Sequence, residues 1–140
     1  MYRDLIARPA LAGLILCAGA AGAVAAKAPA LAALQTIEAG QWQFREIGSA
    51  AAPKIMCVGD PSTLIQIKHA DTACARFVVE DQPRSATISY TCPGTGRGRT
   101  TIRVESPRDF HLETQGIAGG APFDTAYQAH RLGACAAGAH

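Results

Sequence analysis

The chain has 140 residues and a formal net charge of +2 at pH 7, which is the size of one domain and close to neutral. No strongly basic field favours nucleic acid as a partner, and no acidic tail favours a solvating or metal-buffering role. We therefore expect a single domain that has no nucleic-acid partner.

Residues 1–26 are predicted to be a cleavable signal peptide. A basic start is followed by an apolar run from Leu11, and Ala23-Val24-Ala25 has the small-x-small pattern that signal peptidase cleaves. A membrane-spanning helix needs roughly 20 strongly apolar residues, and this run is diluted with Ala and Gly. A lipid anchor at Cys17 is disfavoured because Leu16 precedes it, where a small residue is expected. The sequence predicts export to the periplasm or beyond, without a stable membrane anchor after cleavage.

The segment 27–36 is rich in Ala and is expected to be a flexible or loosely helical lead-in. The folded domain is predicted over residues 37–135, and residues 136–140 are expected to form a short tail.

The first predicted elements are two strands and a short helix. Residues 41–47 alternate polar and apolar side chains, and residues 54–58 form a second run of strand-forming residues. Asp60 can cap a helix predicted over Pro61–His69, whose first residue is a favourable proline. A helix this short is not stable alone, so we expect it to lie against the sheet.

Residues Cys74 to Cys92 predict a β-hairpin around the turn Gln82-Pro83-Arg84, because proline fixes φ and cannot donate to a ladder. A three-residue loop sets three pairs opposite each other: Asp81 with Ser85, Val78 with Ile88, and Arg76 with Tyr90. In this register the two cysteines face each other, close enough for a disulfide after a small adjustment.

Four cysteines follow the signal segment, and an even number in an exported domain predicts two disulfides. The hairpin register pairs Cys74 with Cys92, which leaves Cys57 to pair with Cys135. The rival pairing of Cys57 with Cys74 would pull the open end of the hairpin onto the second strand. A zinc site is disfavoured because structural zinc ligands usually come in pairs about two to four residues apart, and no metal or other cofactor is predicted.

The glycine-rich loop 93–98 has the composition of a phosphate-binding loop, but no Lys-Ser/Thr follows and the next element is a strand. A wide hairpin connection is favoured. The strands Arg99–Glu105 and Phe110–Gln115 are then joined by Ser106-Pro107-Arg108. Their register sets Val104 opposite Phe110 and Ile102 opposite Leu112.

The pattern breaks over Gly116–Pro122, and a last strand is predicted over Phe123–Arg131. Alternation with a period of two residues, together with the frequent turns, predicts a mainly β domain. We expect an antiparallel meander, as a curved sheet or half-barrel, with one short helix and two disulfides.

An anion-facing surface is expected on the second hairpin, where Arg97, Arg99 and Arg103 share the outward face. The predicted register places Arg103 opposite His111, and Thr101 opposite Glu113. Such a surface would attract anionic envelope components weakly, in a salt-dependent way. The alternative is that these charges serve only solubility.

The chain resembles the domain-of-unknown-function 3617 family, which consists of small exported bacterial proteins built mostly of β-strands. The resemblance rests on the order of Gly40-Gln41-Trp42, Cys57-Val58-Gly59-Asp60, Ser89-Tyr90-Thr91-Cys92 with its Gly-x-Gly loop, and Arg131-Leu132-Gly133-Ala134-Cys135. It covers about Ile37 to Cys135. It implies a periplasmic location and supplies no catalytic residues.

Catalysis is not expected, because nothing in the spacing brings a base within hydrogen-bond reach of a nucleophile. His69 ends the predicted helix, whereas His111 and His130 fall at outward strand positions. We expect a structural or binding role in the envelope. The alternative is a carrier whose curved sheet leaves an apolar hollow; the aromatics that would either line it or fill the core are Trp42, Phe44, Phe77, Tyr90, Phe110 and Tyr127.

Overall fold

The computed structural model describes residues 30–138, so the predicted signal segment and the end of the tail lie outside the described residues. The described elements are helix α1 (Ala32–Gln35), strands β1 (Gly40–Glu46) and β2 (Lys54–Val58), a 3₁₀ helix (Pro61–His69), and strands β3 (Ala75–Gln82), β4 (Ser85–Cys92), β5 (Gly96–Ser106), β6 (Asp109–Ala118) and β7 (Ala121–Gly133).

The seven strands form one antiparallel sheet in the order β2-β1-β7-β6-β5-β4-β3. Strands β3 to β7 are a meander, each strand pairing with the next, and β1 adds to the far side of β7. The predicted fold class, a mainly β antiparallel meander with a short helix and two disulfides, is confirmed.

The first hairpin has the predicted register at its open end but a different turn. Val78 lies opposite Ile88 as expected, whereas Asp81 lies opposite Ala86 and not Ser85. The loop has two residues, Pro83 and Arg84, and the residue left over is absorbed by a bulge between Val78 and Glu80. A bulge that carries one extra residue restores the register beyond it.

The second hairpin repeats this arrangement. Ser106 pairs with Asp109 across a two-residue turn, and a bulge between Val104 and Ser106 returns Val104 to its predicted place opposite Phe110. The Arg84 guanidinium bonds to the carbonyls of Val104, at 3.0 Å, and Glu105. The turn of one hairpin thus holds the bulge of the next.

The expected interruption over Gly116–Pro122 is wrong, because β6 continues to Ala118 and β7 begins at Ala121. The turn consists of Gly119 and Gly120, whose φ angles of 56° and 81° favour glycine. The glycine-rich loop is also shorter than expected, since β5 begins at Gly96.

The core lies on one face of the sheet, beneath α1 and the 3₁₀ helix. Five of the six aromatic side chains expected there are buried, and Trp42 packs on Phe110 with a ring-centroid distance of 4.7 Å. Phe44 makes edge contacts with Phe110 and with Tyr127. Phe77 is the exception, with 70% of its surface exposed, because it points to the opposite face on an edge strand.

The lead-in contributes to this core, so the folded domain begins before Ile37. Leu31 and Leu34 are buried beside Ala33, and the backbone N–H of Ala32 donates to the Asp81 carboxylate at 2.9 Å. The helix is only four residues long and is stabilised by burial of Leu34 and of the preceding Leu31 against the sheet.

Both predicted disulfides are present. Cys57 bonds to Cys135 across 78 residues, and Cys74 bonds to Cys92 across 18. The first ties edge strand β2 to the segment that follows β7, and the second closes the open end of the first hairpin.

Candidate functional site

A small apolar cavity lies between edge strand β2 and the 3₁₀ helix. Its volume is about 200 Å³, and its apolar lining comes from four elements: β1, β2, the 3₁₀ helix and β7. The principal apolar residues are Phe44, Met56, Leu64, Ile67 and Tyr127. This is less than the roughly 300–1,000 Å³ of a site for a drug-sized ligand, so the cavity suits one hydrocarbon segment and not a large ring system.

Two lysines border this apolar cavity. Lys68 donates a hydrogen bond to the Tyr127 hydroxyl at 3.1 Å, and its ammonium lies 5.6 Å from the centre of that ring. Lys54 starts β2 opposite Phe44, on the core side of the sheet. In residues 30–138 neither lysine forms an ion pair with a carboxylate. The cavity is therefore apolar inside and positively charged at its border.

The position of the 3₁₀ helix follows from its start and from a kink. Asp60 accepts the backbone N–H of Ser62 at 2.8 Å, and Pro61 occupies the first helical position, as predicted. Gln66 departs from helical geometry, with φ −124° and ψ 43°. Leu64 and Ile65, which precede the kink, are buried in the core. Lys68, which follows it, lies close enough to Tyr127 to donate a hydrogen bond to its hydroxyl.

A set of buried polar side chains extends from the end of the 3₁₀ helix into the sheet. Nδ1 of His69 lies 3.2 Å from the Tyr90 hydroxyl, and the hydroxyls of Thr100 and Thr114 lie 2.9 Å apart. Burial raises the pKa of Tyr90 above its ordinary value of 10.0, and a hydrogen bond with Thr114 offsets part of that rise. This phenol therefore stays protonated at neutral pH and acts as a structural hydrogen-bonding group.

The arginines expected to form an anion-facing surface are all exposed, in the predicted register. Arg103 lies opposite His111, but its guanidinium bonds to Glu113 at 2.9 Å. Arg97 and Arg99 have no ion pair within the described residues and line a second, open cavity of about 540 Å³ on the polar face. The structure thus separates Arg103 from the other two.

Ser106, Asp109 and His130 are the residue types of a catalytic triad, but the order of the hydrogen bonds among them differs from that of a triad. Asp109 lies between the other two members, bonding to Nδ1 of His130 at 2.6 Å and to the Ser106 hydroxyl at 2.8 Å. A nucleophilic hydroxyl must instead bond to the imidazole that takes its proton. The bonds from His130 and Ser106 lower the pKa of Asp109. The cluster closes the turn between β5 and β6.

Within residues 30–138, no group of three His, Cys, Asp or Glu side chains is arranged to hold a metal ion. None of the helices in that range is long and apolar enough to cross a bilayer. Two disulfides are typical of a protein that folds in an oxidising, non-cytoplasmic compartment.

Comparison of the chain with protein-family models, with curated proteins and with solved structures finds no match. The candidate sites are therefore defined by geometry alone. Sequence reasoning anticipated Phe44 and Tyr127 near a hollow but missed Met56, Ile67 and the two lysines. The alternation of β2 is a local signal for Lys54 and Met56, since it places them on the same face, but it gives none for Ile67 and Lys68 on the 3₁₀ helix.

Proposed function

We propose that the protein is an exported, non-catalytic binding protein of the cell envelope that carries a single-chain anionic amphiphile. The hydrocarbon chain occupies the apolar cavity, and the anionic head group lies at Lys54 and Lys68. Export is supported by the predicted signal segment 1–26 and by the two disulfides. The resemblance to the domain-of-unknown-function 3617 family is consistent with the same compartment.

The observation that carries this proposal is the combination of an apolar interior with two ammonium groups that form no ion pair within the described residues. The cavity buries hydrocarbon against Met56, Leu64 and Ile67, and each buried methylene contributes about 0.8 kcal/mol. An ammonium at the border favours a carboxylate or phosphate head group by charge-assisted hydrogen bonds. A fully apolar ligand would leave both ammonium groups without an anionic partner, since Lys68 contacts only the neutral Tyr127 hydroxyl and aromatic rings.

Only one end of the ligand's hydrocarbon chain fits in the cavity. A volume of about 200 Å³ holds a short hydrocarbon segment, and the aromatic core beneath it is already packed. We therefore expect a single-chain ligand such as a fatty acid or lysophospholipid, and modest affinity.

The test is titration of the secreted protein with parinaric acid, a fluorescent fatty acid, and with its alcohol. We expect one saturable site, weaker binding of the alcohol, and loss of binding in Met56→Trp, which fills the cavity. Ile55→Trp is the matched control, because Ile55 is half exposed on the opposite face of the same strand. The Lys54→Gln/Lys68→Gln variant should weaken binding of the acid and leave that of the alcohol unchanged.

Two outcomes contradict the proposal. The first is that parinaric acid shows no saturable binding to the folded protein. The second is that Met56→Trp binds it as tightly as the unmodified protein, which would place the probe elsewhere. Native mass spectrometry of protein taken from the periplasm gives an independent measurement, since a carried amphiphile adds its own mass.

A further inference from the structure

A row of side chains crosses the polar face of the sheet, away from the apolar cavity. Cross-strand pairing places its five members side by side on five neighbouring strands, in the order Phe77, Ser89, Arg99, Gln115 and Asp124. Strands lie about 4.8 Å apart, so the row extends over roughly 19 Å. Ser89, Arg99, Gln115 and Asp124 also line the open cavity of about 540 Å³, together with Arg97.

We propose that this row is a binding site for a short acidic saccharide, a sugar chain that carries carboxylate groups. The proposal is independent of the amphiphile site, which lies on the other face of the sheet and uses none of these residues. The volume of the open cavity falls within the roughly 300–1,000 Å³ of small-molecule sites.

The charges that line the open cavity, Arg97, Arg99 and Asp124, favour an acidic ligand that also donates hydrogen bonds. Arg97 and Arg99 have no ion pair within the described residues, and guanidinium groups bind carboxylates in a bidentate geometry. Asp124 lies in the same cavity and would repel a bare anion. A sugar resolves this conflict, because its hydroxyls donate to Asp124 while its carboxylates face the arginines.

The remaining side chains match the same ligand. Ser89 and Gln115 provide donors and acceptors at the spacing of adjacent strands. Phe77, with 70% of its surface exposed, lies one strand beyond the open cavity and offers an aromatic face to the C–H side of a sugar ring.

A peptide is a poorer match, although it could also carry carboxylates. Extended peptides bind mainly by adding a strand to a sheet edge, where main-chain groups are free. Four of the five members of the row lie on β4, β5, β6 and β7, whose main chains are paired on both sides, and only Phe77 lies on an edge strand. Only side chains are available there, and saccharide hydroxyls use them more fully.

The experiment titrates the secreted protein at low ionic strength with tetragalacturonate, its methyl ester and tetraglutamate. We expect tetragalacturonate to shift the amide resonances of Ser89, Arg99 and Gln115 and to bind more tightly than either other probe. The Arg97→Ala/Arg99→Ala variant should weaken its binding about tenfold, and Phe77→Ala about threefold. The matched control is Arg45→Ala/Arg103→Ala, which removes the same charge from the same face outside the row.

Asp124→Asn separates a saccharide site from a simple anion site. We expect it to weaken tetragalacturonate binding, because a hydroxyl acceptor is lost, although the net charge becomes more favourable. Stronger binding in Asp124→Asn would overturn the proposal, as would equal binding of the methyl ester or of tetraglutamate. An equal loss in the Arg45→Ala/Arg103→Ala control would show that only net charge matters, which also contradicts it.

Discussion

The Tyr90 side chain occupies the space in which a side chain at Gly98 would lie. A Cβ atom on Gly98 would be 2.4 Å from the Tyr90 hydroxyl oxygen and 2.6 Å from the ring carbon that bears it. The two residues face each other across β4 and β5, on the core side. Gly98 is therefore required by the bulk of its partner, and the hydroxyl that passes over it reaches His69.

We expect Gly98→Ala to destabilise the protein by about 1–3 kcal/mol, the range for forcing extra atoms into a packed core. Urea unfolding measures the change, and Gly133→Ala is the matched control because a Cβ there meets nothing within 4 Å. In a Tyr90→Ala background the cost should disappear, since residues in contact are not additive. If Gly98→Ala lowers the unfolding free energy by the same amount in the Tyr90→Ala background, the added methyl group clashes with a residue other than Tyr90.

Gln66 is predicted to be the most sensitive polar position of the 3₁₀ helix. Its amide nitrogen donates to the carbonyls of His69 and Thr72 at 2.9 and 2.6 Å, and its oxygen accepts from the Arg76 guanidinium. Gln66→Leu leaves these groups without their partner, so we expect a loss of about 2 kcal/mol or more. The half-buried Gln43 makes no comparable bond in the described part of the chain, and Gln43→Leu should change the unfolding free energy little.

The two disulfides are predicted to contribute unequally. In the chain-entropy model a closure of 18 residues contributes about 3 kcal/mol and one of 78 residues about 4.5 kcal/mol. Cys57→Ala/Cys135→Ala should therefore lower the urea midpoint more than Cys74→Ala/Cys92→Ala. The reverse order would show that the entropy of the unfolded chain does not control the difference.

The register at the open end of both hairpins could be predicted from their proline turns. In the first hairpin, the proline turn and the cysteine pair fix the same alignment, and the bulge after Val78 compensates for a turn that is one residue shorter than expected. The outward orientation of Phe77 was within reach of the same register, which sets it opposite Ser89 on the polar face, but its aromatic residue type favoured a place in the core.

The apolar cavity could not be predicted for a different reason. Met56 and Ile67 belong to elements whose contact depends on the path of the chain between β2 and the kinked 3₁₀ helix. The pairing of Arg99 with Gln115 was within reach of sequence reasoning, because it follows from the register of the second hairpin. The pairing of Ser89 with Arg99 depends on the turn between β4 and β5, which is shorter than the predicted loop. The extension of the row to Asp124 requires the true start of β7, which the expected break at Gly116 concealed.

Asp109 is expected to give the protein a small acid-sensitive contribution to stability. Hydrogen bonds from His130 and Ser106 lower the pKa of its carboxyl below the ordinary 3.8, so the folded state favours the ionised form. A group whose pKa is lower in the folded state stabilises above its unfolded pKa, and that contribution disappears as the pH falls through the folded value. The carboxyl is solvent-exposed, so the effect is modest.

Melting temperatures measured from neutral pH down to acid should therefore fall more steeply below about pH 4 in the unmodified protein than in Asp109→Asn. Asp71→Asn, which removes an exposed carboxyl with no such bond in the described residues, should keep the steeper fall. If the slopes for Asp109→Asn and the unmodified protein coincide, the bond from His130 does not favour the ionised carboxylate in solution.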